Sequence, residues 1–208
     1  MWIVATASAL GLLTGLRHAF EPDHLAAIST LVSERSSQKR ATWVGLAWGL
    51  GHALPLIALG GTLLVLRITL SPRTATMFEA LVALMLVALG IRALLLARKA
   101  AHVSRDKPTQ PLRRSLAVGV FHGLAGTGGL TALTMAHVSS TTGALVFVVT
   151  FGTGAAVAMA GLTGALGWPL SRLARHPRYS GALLGAAGSI SLALGVWWAV
   201  PFVRGLLS

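Results

Sequence analysis

Residues 75–97, ATMFEALVALMLVALGIRALLLA, decide the fold, because this run of 23 residues contains only two charged side chains. A helix that crosses a bilayer needs about 20 consecutive, mostly apolar residues, so the run is long enough for one crossing. Five other segments have the same character, and the six predicted spans cover residues 2–32, 41–66, 75–97, 114–138, 142–167 and 180–204. We therefore predict an all-α integral membrane protein with about six transmembrane helices.

The amino-acid composition is that of a membrane protein. Hydrophobic residues make up 54% of the chain and charged residues only 11%, whereas a soluble domain carries about a quarter charged residues. The net charge is +12, and in a membrane protein such an excess collects in short cytoplasmic loops, so we do not predict nucleic acid binding. Because the sequence has no cysteine, disulfides and thiolate ligands are excluded, and a bound metal would use imidazole, carboxylate or carbonyl groups.

The loops between the predicted spans alternate in charge. The first, third and fifth loops carry twelve basic residues in total, and the opposite side carries three. Basic loops stay in the cytoplasm, which predicts a multi-pass protein of the bacterial cytoplasmic (inner) membrane with both termini outside. The twelve are Arg35, Lys39, Arg40, Arg98, Lys99, Arg105, Lys107, Arg113, Arg114, Arg172, Arg175 and Arg178, and the three are Arg67, Arg73 and Arg204.

The two halves of the chain resemble each other, which predicts an internal repeat. Residues 15–18 (Gly-Leu-Arg-His) resemble residues 119–122 (Gly-Val-Phe-His), and each histidine precedes a stretch that disfavours a helix, with Pro22 in one half and four glycines in the other. Since each half holds three helices, the second half enters the membrane from the opposite side, and such inverted repeats place a substrate site near the midplane. We predict one transmembrane domain composed of repeat one (1–98), a cytoplasmic linker (99–113) and repeat two (114–208).

A polar cluster interrupts the first predicted span at residues 17–24, Arg-His-Ala-Phe-Glu-Pro-Asp-His. Five ionisable residues within eight positions of a membrane span are costly, and such residues mark functional sites. The alternative is that the helix ends before a solvated loop, but the apolar pattern continues from Leu25. Pro22 cannot donate to the carbonyl of His18, so we expect the helix to break there and leave that carbonyl free as an oxygen ligand. Pro55 is expected to disturb the second span in the same way.

The chemistry of the polar cluster suits a borderline divalent metal ion. Imidazole nitrogen favours nickel, cobalt, copper and zinc, and a carboxylate offsets the charge of the ion. On an ideal helix Glu21 shares a face with both His18 and His24, which lie three positions away on either side. His52 and His122 lie in two other apolar spans. A single such histidine is often structural, but three helices that each contribute one favour a shared site.

Four stretches resemble motifs of a known family. Residues 15–28, GLRHAFEPDHLAAI, resemble the signature of the nickel/cobalt transporter (NiCoT) family, in which a histidine is followed by four residues and then Asp-His. Residues 48–52 are similar to the second motif of that family, and residues 121–126 and 151–154 to motifs of the related UreH-like urease-accessory membrane proteins. The resemblance implies a permease for nickel or cobalt. The metal site that it implies consists of His18, Asp23 and His24, to which we add His52 and His122.

We therefore predict a membrane permease, not an enzyme, for a divalent transition-metal ion, with nickel or cobalt favoured. The ion is the substrate, and no cofactor is expected. The expected partners are the ion and the lipid bilayer, with a second copy of the chain or an accessory metalloenzyme system as further alternatives. Three other functions stay open: an exporter of a small anion or amino acid that uses Arg17, a metal-delivery accessory membrane protein, and a membrane enzyme with a histidine–carboxylate metal centre.

Overall fold

The structure is a computed structural model that describes residues 2–32, 38–99, 112–138, 140–174 and 177–207. All regular elements in these ranges are helical, which confirms the predicted all-α class. Most of the predicted linker lies outside the described residues, as do Arg35, Arg105, Lys107 and Arg175. The helices are α1 (Trp2–His18), α2 (Pro22–Val32), α3 (Gln38–Pro55), a π-helix (Leu56–Gly60), α4 (Gly61–Leu66), α5 (Pro72–Lys99), α6 (Leu112–His137), α7 (Thr141–Ala174) and α8 (Pro177–Leu207).

Five helical stretches in the described part of the chain are long and apolar enough to cross a membrane. They coincide with the second to sixth predicted spans, so the chain is a multi-pass membrane protein. The first predicted span is divided between α1, with 17 residues, and α2, with 11. Neither reaches the roughly 20 residues of a simple crossing, so the predicted count of six depends on α1 and α2 acting together. The five stretches are Lys39–Leu66, Pro72–Arg98, Leu112–Met135, Thr141–Gly167 and Gly181–Arg204.

The first predicted span is broken at residues 19–21, as the position of Pro22 predicts. The backbone N–H of Glu21 donates to the carbonyl of His18 at 3.0 Å and closes a tight turn at the end of α1. Pro22 then begins α2, where its missing N–H costs no helical hydrogen bond. Because the carbonyl of His18 accepts the N–H of Glu21, the expectation that this carbonyl is left without a hydrogen-bond partner is wrong. Its role as an oxygen ligand through the second lone pair stays a prediction.

The other two predicted interruptions have different outcomes. After Pro55 the chain passes into the π-helix, which confirms a disturbance of the second span. By contrast, α6 continues through the four glycines of residues 123–129, so the expected break in the second half is wrong. Glycine weakens a helix by about 1 kcal/mol relative to alanine, but it keeps the backbone N–H that proline lacks, and the helical hydrogen bonds survive.

Glycines allow the central helices to approach each other at backbone distance. Along α1, Gly11 and Gly15 contact Phe147 and Phe151 of α7 in the same order, so these two helices run parallel. A Cβ atom on either glycine would collide with the backbone of α7. The helices α3 and α6 form a second close pair of the same kind. Small residues at such contacts are the usual means by which membrane helices pack tightly.

The bundle has a central layer and a peripheral pair. At the centre, α3 and α7 run antiparallel. Gly49 of α3 contacts Ala156 of α7, whereas Ala53, which follows Gly49 in α3, contacts Gly152, which precedes Ala156 in α7. At the periphery α5 packs against α8 and contacts the centre through α6, and α8 contacts α2. One hydrophobic core joins side chains of α2, α3, α5, α6 and α7, with Trp48 fully buried within it.

Candidate metal centre

Five polar side chains from four helices converge inside the bundle. His18 ends α1, and Asp23 and His24 lie in the first turn of α2. The break between these helices turns the chain so that the rings of His18 and His24 lie only 4.4 Å apart between centroids, although they would point in different directions on a continuous helix. Neighbouring α3 contributes His52 and α6 contributes His122.

The carboxylate of Asp23 joins two of the histidines. Nδ1 of His24 lies 3.0 Å from Oδ1 of Asp23, and Nε2 of His122 lies 2.8 Å from Oδ2. An ionised carboxylate can only accept hydrogen bonds, so the ring nitrogen that faces each oxygen is the one that carries the proton. The carboxylate also lies at the N-terminus of α2, where negative charge is favourable.

His18 links the interior of the cluster to its edge. Its Nδ1 lies 3.0 Å from Oε1 of Glu21, whose side chain is 53% exposed. Its Nε2 lies 3.2 Å from Nε2 of His52, which is completely buried. The cluster therefore extends from a half-exposed carboxylate at the break in the first span to a buried imidazole on α3.

His24 lies at the centre of the cluster. Its ring centroid lies 5.2 Å from that of His52 and 4.1 Å from that of His122, on which it stacks. Two aromatic side chains border the rings: Trp48 lies 5.7 Å from His24, and Phe151 lies 5.1 Å from His18. Sequence reasoning missed both as parts of the site. The position of Trp48, one helical turn before His52, was an available signal because residues four apart share a helix face.

Three imidazole nitrogens are buried without a hydrogen-bond partner among the described residues. They are Nε2 of His24, Nδ1 of His52 and Nδ1 of His122, and all three residues are at most 2% exposed. Buried polar atoms in native proteins nearly always have a partner, so a group of such nitrogens in one place calls for an explanation. A cation bound to Nε2 of His24 would supply a partner for one of the three.

The ligand atoms lie close enough together to hold a metal ion. One set consists of His18, His24 and His52, and a second consists of Asp23, His24 and His122, and in each set the ligand atoms lie within 4.8 Å of one another. Two ligand atoms on one ion with bonds of about 2.0–2.1 Å are at most about 4.2 Å apart, so small side-chain movements suffice. A donor set of imidazoles with one carboxylate suits borderline divalent ions such as nickel, cobalt and zinc.

The structure thus brings together all five residues that the sequence singles out, and metal binding by them stays a prediction. Glu21 joins the cluster through His18. Two other ionisable residues, by contrast, lie outside this buried cluster. Arg17 is exposed, and His137 is exposed near the end of α6, where its Nδ1 donates to the carbonyl of Leu133 at 2.9 Å.

Comparison with known proteins extends the resemblance seen in the motifs. The sequence model of a family described as high-affinity nickel-transport protein (NicO) matches residues 2–115, which include four of the five clustered residues. The chain is also similar to the urease accessory protein UreH of Bacillus sp. (strain TB-90), with 33% identity over 199 residues, or 90% of this chain and 87% of that protein. No solved structure matches the chain.

Proposed function

The chain belongs to the family of high-affinity nickel-transport proteins, and from that premise we propose that it is a permease for a divalent transition-metal ion, with nickel or cobalt as the favoured cargo. The observation that carries this proposal is the cluster of His18, Asp23, His24, His52 and His122 inside a bundle of membrane spans. Ionisable groups at such depth are costly, and in membrane proteins they mark ion pathways.

The chemistry of the cluster favours a cation over the other candidate cargoes. Imidazoles with unpartnered nitrogens offer lone pairs to a metal, and the carboxylates of Asp23 and Glu21 lower the electrostatic cost of its charge. The same carboxylates would repel a small anion. Arg17, which would bind an anion, is exposed. The arrangement therefore favours a metal permease over an anion exporter.

Equivalent glycine contacts in the two halves support the inverted repeat. A Cβ atom on Gly15 of α1 would collide with the carbonyl oxygen of Phe151 in α7, and one on Gly119 of α6 would collide with that of Trp48 in α3. The counterparts in these two contacts are 104 and 103 positions apart: Gly15 corresponds to Gly119, and Trp48 corresponds to Phe151. The pair α1–α7 is thus repeated by the pair α6–α3.

The peripheral helices α5 and α8 also make equivalent glycine contacts in the two halves. A Cβ atom on Gly90 of α5 would lie 2.7 Å from the backbone nitrogen of Leu192 in α8, and one on Gly195 of α8 would lie 2.8 Å from that of Val87 in α5. The counterparts here are 105 positions apart, and α5 and α8 run antiparallel. Corresponding helices that run antiparallel support a two-fold axis in the membrane plane, which is the arrangement of inverted repeats in transporters. We propose that α1 and α2 together form the sixth crossing.

The ring distances around His24 support a cluster close to such an axis. His18 and His122 are counterparts, 104 positions apart, and the centroids of their rings lie 4.4 and 4.1 Å from that of His24. The counterpart of His52 is Ala155, so the other ligand groups belong to the first half alone. A site between two inverted halves can be exposed to either side of the membrane when one half moves against the other, and this movement would carry the ion across.

The proposed orientation places both termini outside, in the inner membrane of a bacterium. Because the chain has no cysteine, single cysteines can report it without background. Ser71→Cys, in the exposed connection before α5, is expected to react with a membrane-impermeant maleimide added to intact spheroplasts. Lys39→Cys, at the exposed start of α3, is expected to react only after the membrane is opened. The reverse labelling pattern would contradict the orientation.

The proposal is tested by ion uptake into vesicles that contain the purified protein. Nickel and cobalt are expected to enter in a saturable manner, whereas magnesium, which prefers oxygen ligands, should not compete at equal concentration. Vesicles of the same lipid without protein are the control. Equal nickel entry into both kinds of vesicle would reject the permease function.

The name of the relative, a urease accessory protein, favours a second candidate function in the same process. Here the chain supplies the ion that a metalloenzyme such as urease incorporates. Deletion of its gene from a host with such an enzyme is expected to lower enzyme activity, and excess nickel in the medium should restore it. If excess nickel does not restore activity, the contribution to the enzyme is not ion supply.

A further inference from the structure

Building on the proposed permease function, we infer that the ion is bound by imidazoles alone, through Nε2 of His18, His24 and His52. In this assignment the carboxylates of Asp23 and Glu21 are not ligands. They are positioning groups, each of which holds one imidazole in the tautomer and orientation that directs Nε2 at the ion.

The geometry around His24 leads to this assignment. Nδ1 of His24 faces Oδ1 of Asp23 at 3.0 Å, and since the carboxylate can only accept, Nδ1 carries the proton. In a neutral imidazole the other nitrogen, Nε2, then holds the lone pair. That atom is buried and has no partner among the described residues, so it is the atom of the ring that is available to a metal.

His18 repeats the arrangement at the edge of the cluster. Its Nδ1 faces Oε1 of Glu21 at 3.0 Å, which leaves Nε2 as the atom with the lone pair. This Nε2 lies 3.2 Å from Nε2 of His52, which donates the hydrogen bond between the two rings when no ion is bound. An ion between the rings therefore requires the proton of His52 to move to Nδ1, which has no partner among the described residues. Two nitrogens bound to one ion are separated by about 2.9 Å at a right angle and about 3.4 Å at the tetrahedral angle, so an ion fits between these two rings. Metal-binding histidines almost always donate their other N–H to a carboxylate, carbonyl or water.

His122 completes the support of Asp23 and is not a ligand in this assignment. Its Nε2–H donates to Oδ2 of Asp23 at 2.8 Å, and its ring stacks on that of His24 at 4.1 Å. Both carboxylate oxygens of Asp23 are therefore occupied by N–H donors and held between α2 and α6. A metal bound to Asp23 would have to share an oxygen that already accepts an N–H, through the second lone pair of that oxygen.

The assignment has a consequence for the cargo. Three imidazoles without an oxygen ligand discriminate against magnesium, manganese and calcium more strongly than a mixed site would. Three protein ligands also leave coordination positions for water, and an incompletely enclosed ion can leave the site again. Both properties suit a transported ion.

Infrared spectroscopy can test whether Asp23 binds the ion, because the chain contains only two aspartates. Asp106→Asn, with ¹³C-aspartate incorporated, leaves Asp23 as the only labelled carboxylate. We expect nickel to shift its two stretching bands slightly and leave their separation nearly unchanged, as for a carboxylate that keeps its hydrogen bonds. A large change in that separation on nickel binding would mean that Asp23 is a ligand and would overturn the assignment.

Nickel affinities of purified variants provide the second readout. Asp23→Asn is expected to weaken binding by about 10–100-fold, as loss of an outer-shell partner does, and to leave the imidazole signals of bound Co²⁺ in X-ray absorption unchanged. Glu21→Gln should weaken binding less than about tenfold because Glu21 is half exposed. His52→Ala should remove one imidazole from the spectrum. An unchanged spectrum in His52→Ala would overturn the assignment, whereas wild-type protein that binds no nickel would reject the permease function itself.

Discussion

His24→Ala is expected to lower nickel uptake by at least about 100-fold, more than the loss of any outer-shell partner in the cluster. The ring lies within 4.1–5.2 Å of His18, His52 and His122 between centroids, and its Nε2 is buried without a partner among the described residues. Its removal takes away a proposed ligand and leaves one oxygen of Asp23 without its donor. Initial rates of nickel entry into vesicles measure the effect.

His137→Ala is the matched control for this substitution. His137 also lies in a membrane-spanning helix, but it is exposed and bonds only to the backbone of its own helix, through the carbonyl of Leu133. Uptake by this variant should equal that of the wild type. The stability of both variants without metal, compared by thermal unfolding, separates loss of the site from loss of the fold. If His24→Ala folded normally and carried nickel at the wild-type rate, the cluster could not be the transport site.

Nickel-dependent thermal stabilisation gives an independent measure of the same loss. A ligand that binds only the folded state stabilises it by about 2.7 kcal/mol at a concentration of 100 times Kd. The wild type should therefore unfold at a higher temperature with nickel than without it, and His24→Ala should show no such shift. A shift of equal size in both proteins would place the bound nickel elsewhere.

The sequence predicts the fold class and the members of the cluster for reasons that do not depend on tertiary structure. A membrane span needs an uninterrupted apolar run, so its position can be read from hydropathy. An ionisable group in such a run is costly, and three helices that each contribute a histidine favour a shared site, so the sequence predicts His52 and His122 as its members. Pro22 likewise predicts the break in the first span, because a missing N–H acts locally.

The roles of the residues within the cluster could not be predicted from the sequence. Asp23 and His122 are 99 positions apart, and their hydrogen bond depends on how α2 and α6 are rotated against each other. Spacing on one helix does not contain that information. The family resemblance implies that Asp23 is a metal ligand, whereas the hydrogen bonds to both of its oxygens favour a positioning role.

The unbroken helix through the glycines of the second half could not be predicted from the sequence for a related reason. A local view treats four glycines in residues 123–129 as a helix break, since each costs about 1 kcal/mol relative to alanine. The packing changes this balance: Gly123 of α6 lies against the carbonyl of His52, where a larger residue would not fit. Close contact with α3 thus stabilises α6 at a position where its intrinsic helix propensity is poor.

Gly119→Ala is expected to destabilise the protein by about 1–3 kcal/mol and to weaken nickel binding by about tenfold or more. A Cβ atom here would collide with the carbonyl oxygen of Trp48 and lie 2.8 Å from the backbone nitrogen of His52, so α6 must move away from α3. The movement carries His122, one turn further along α6, away from Asp23, and His24 loses its support. Thermal unfolding and nickel affinity of the purified variant measure the two effects.

Substitutions at two further glycines provide a control for Gly119→Ala and a test of whether the two halves are equivalent. Gly129→Ala, on the same helix, places its Cβ where no other atom lies within 4 Å, so stability and nickel affinity should stay at wild-type levels or rise slightly. Gly15→Ala is the counterpart of Gly119→Ala in the other half, and its Cβ would lie 2.9 Å from the carbonyl carbon of Phe151 and closer still to its oxygen. If the two halves are related by an inverted repeat, Gly15→Ala and Gly119→Ala should cost similar stability. A harmless Gly119→Ala would contradict the close contact of α3 with α6, and a harmful Gly119→Ala beside a harmless Gly15→Ala would contradict the equivalence of the halves.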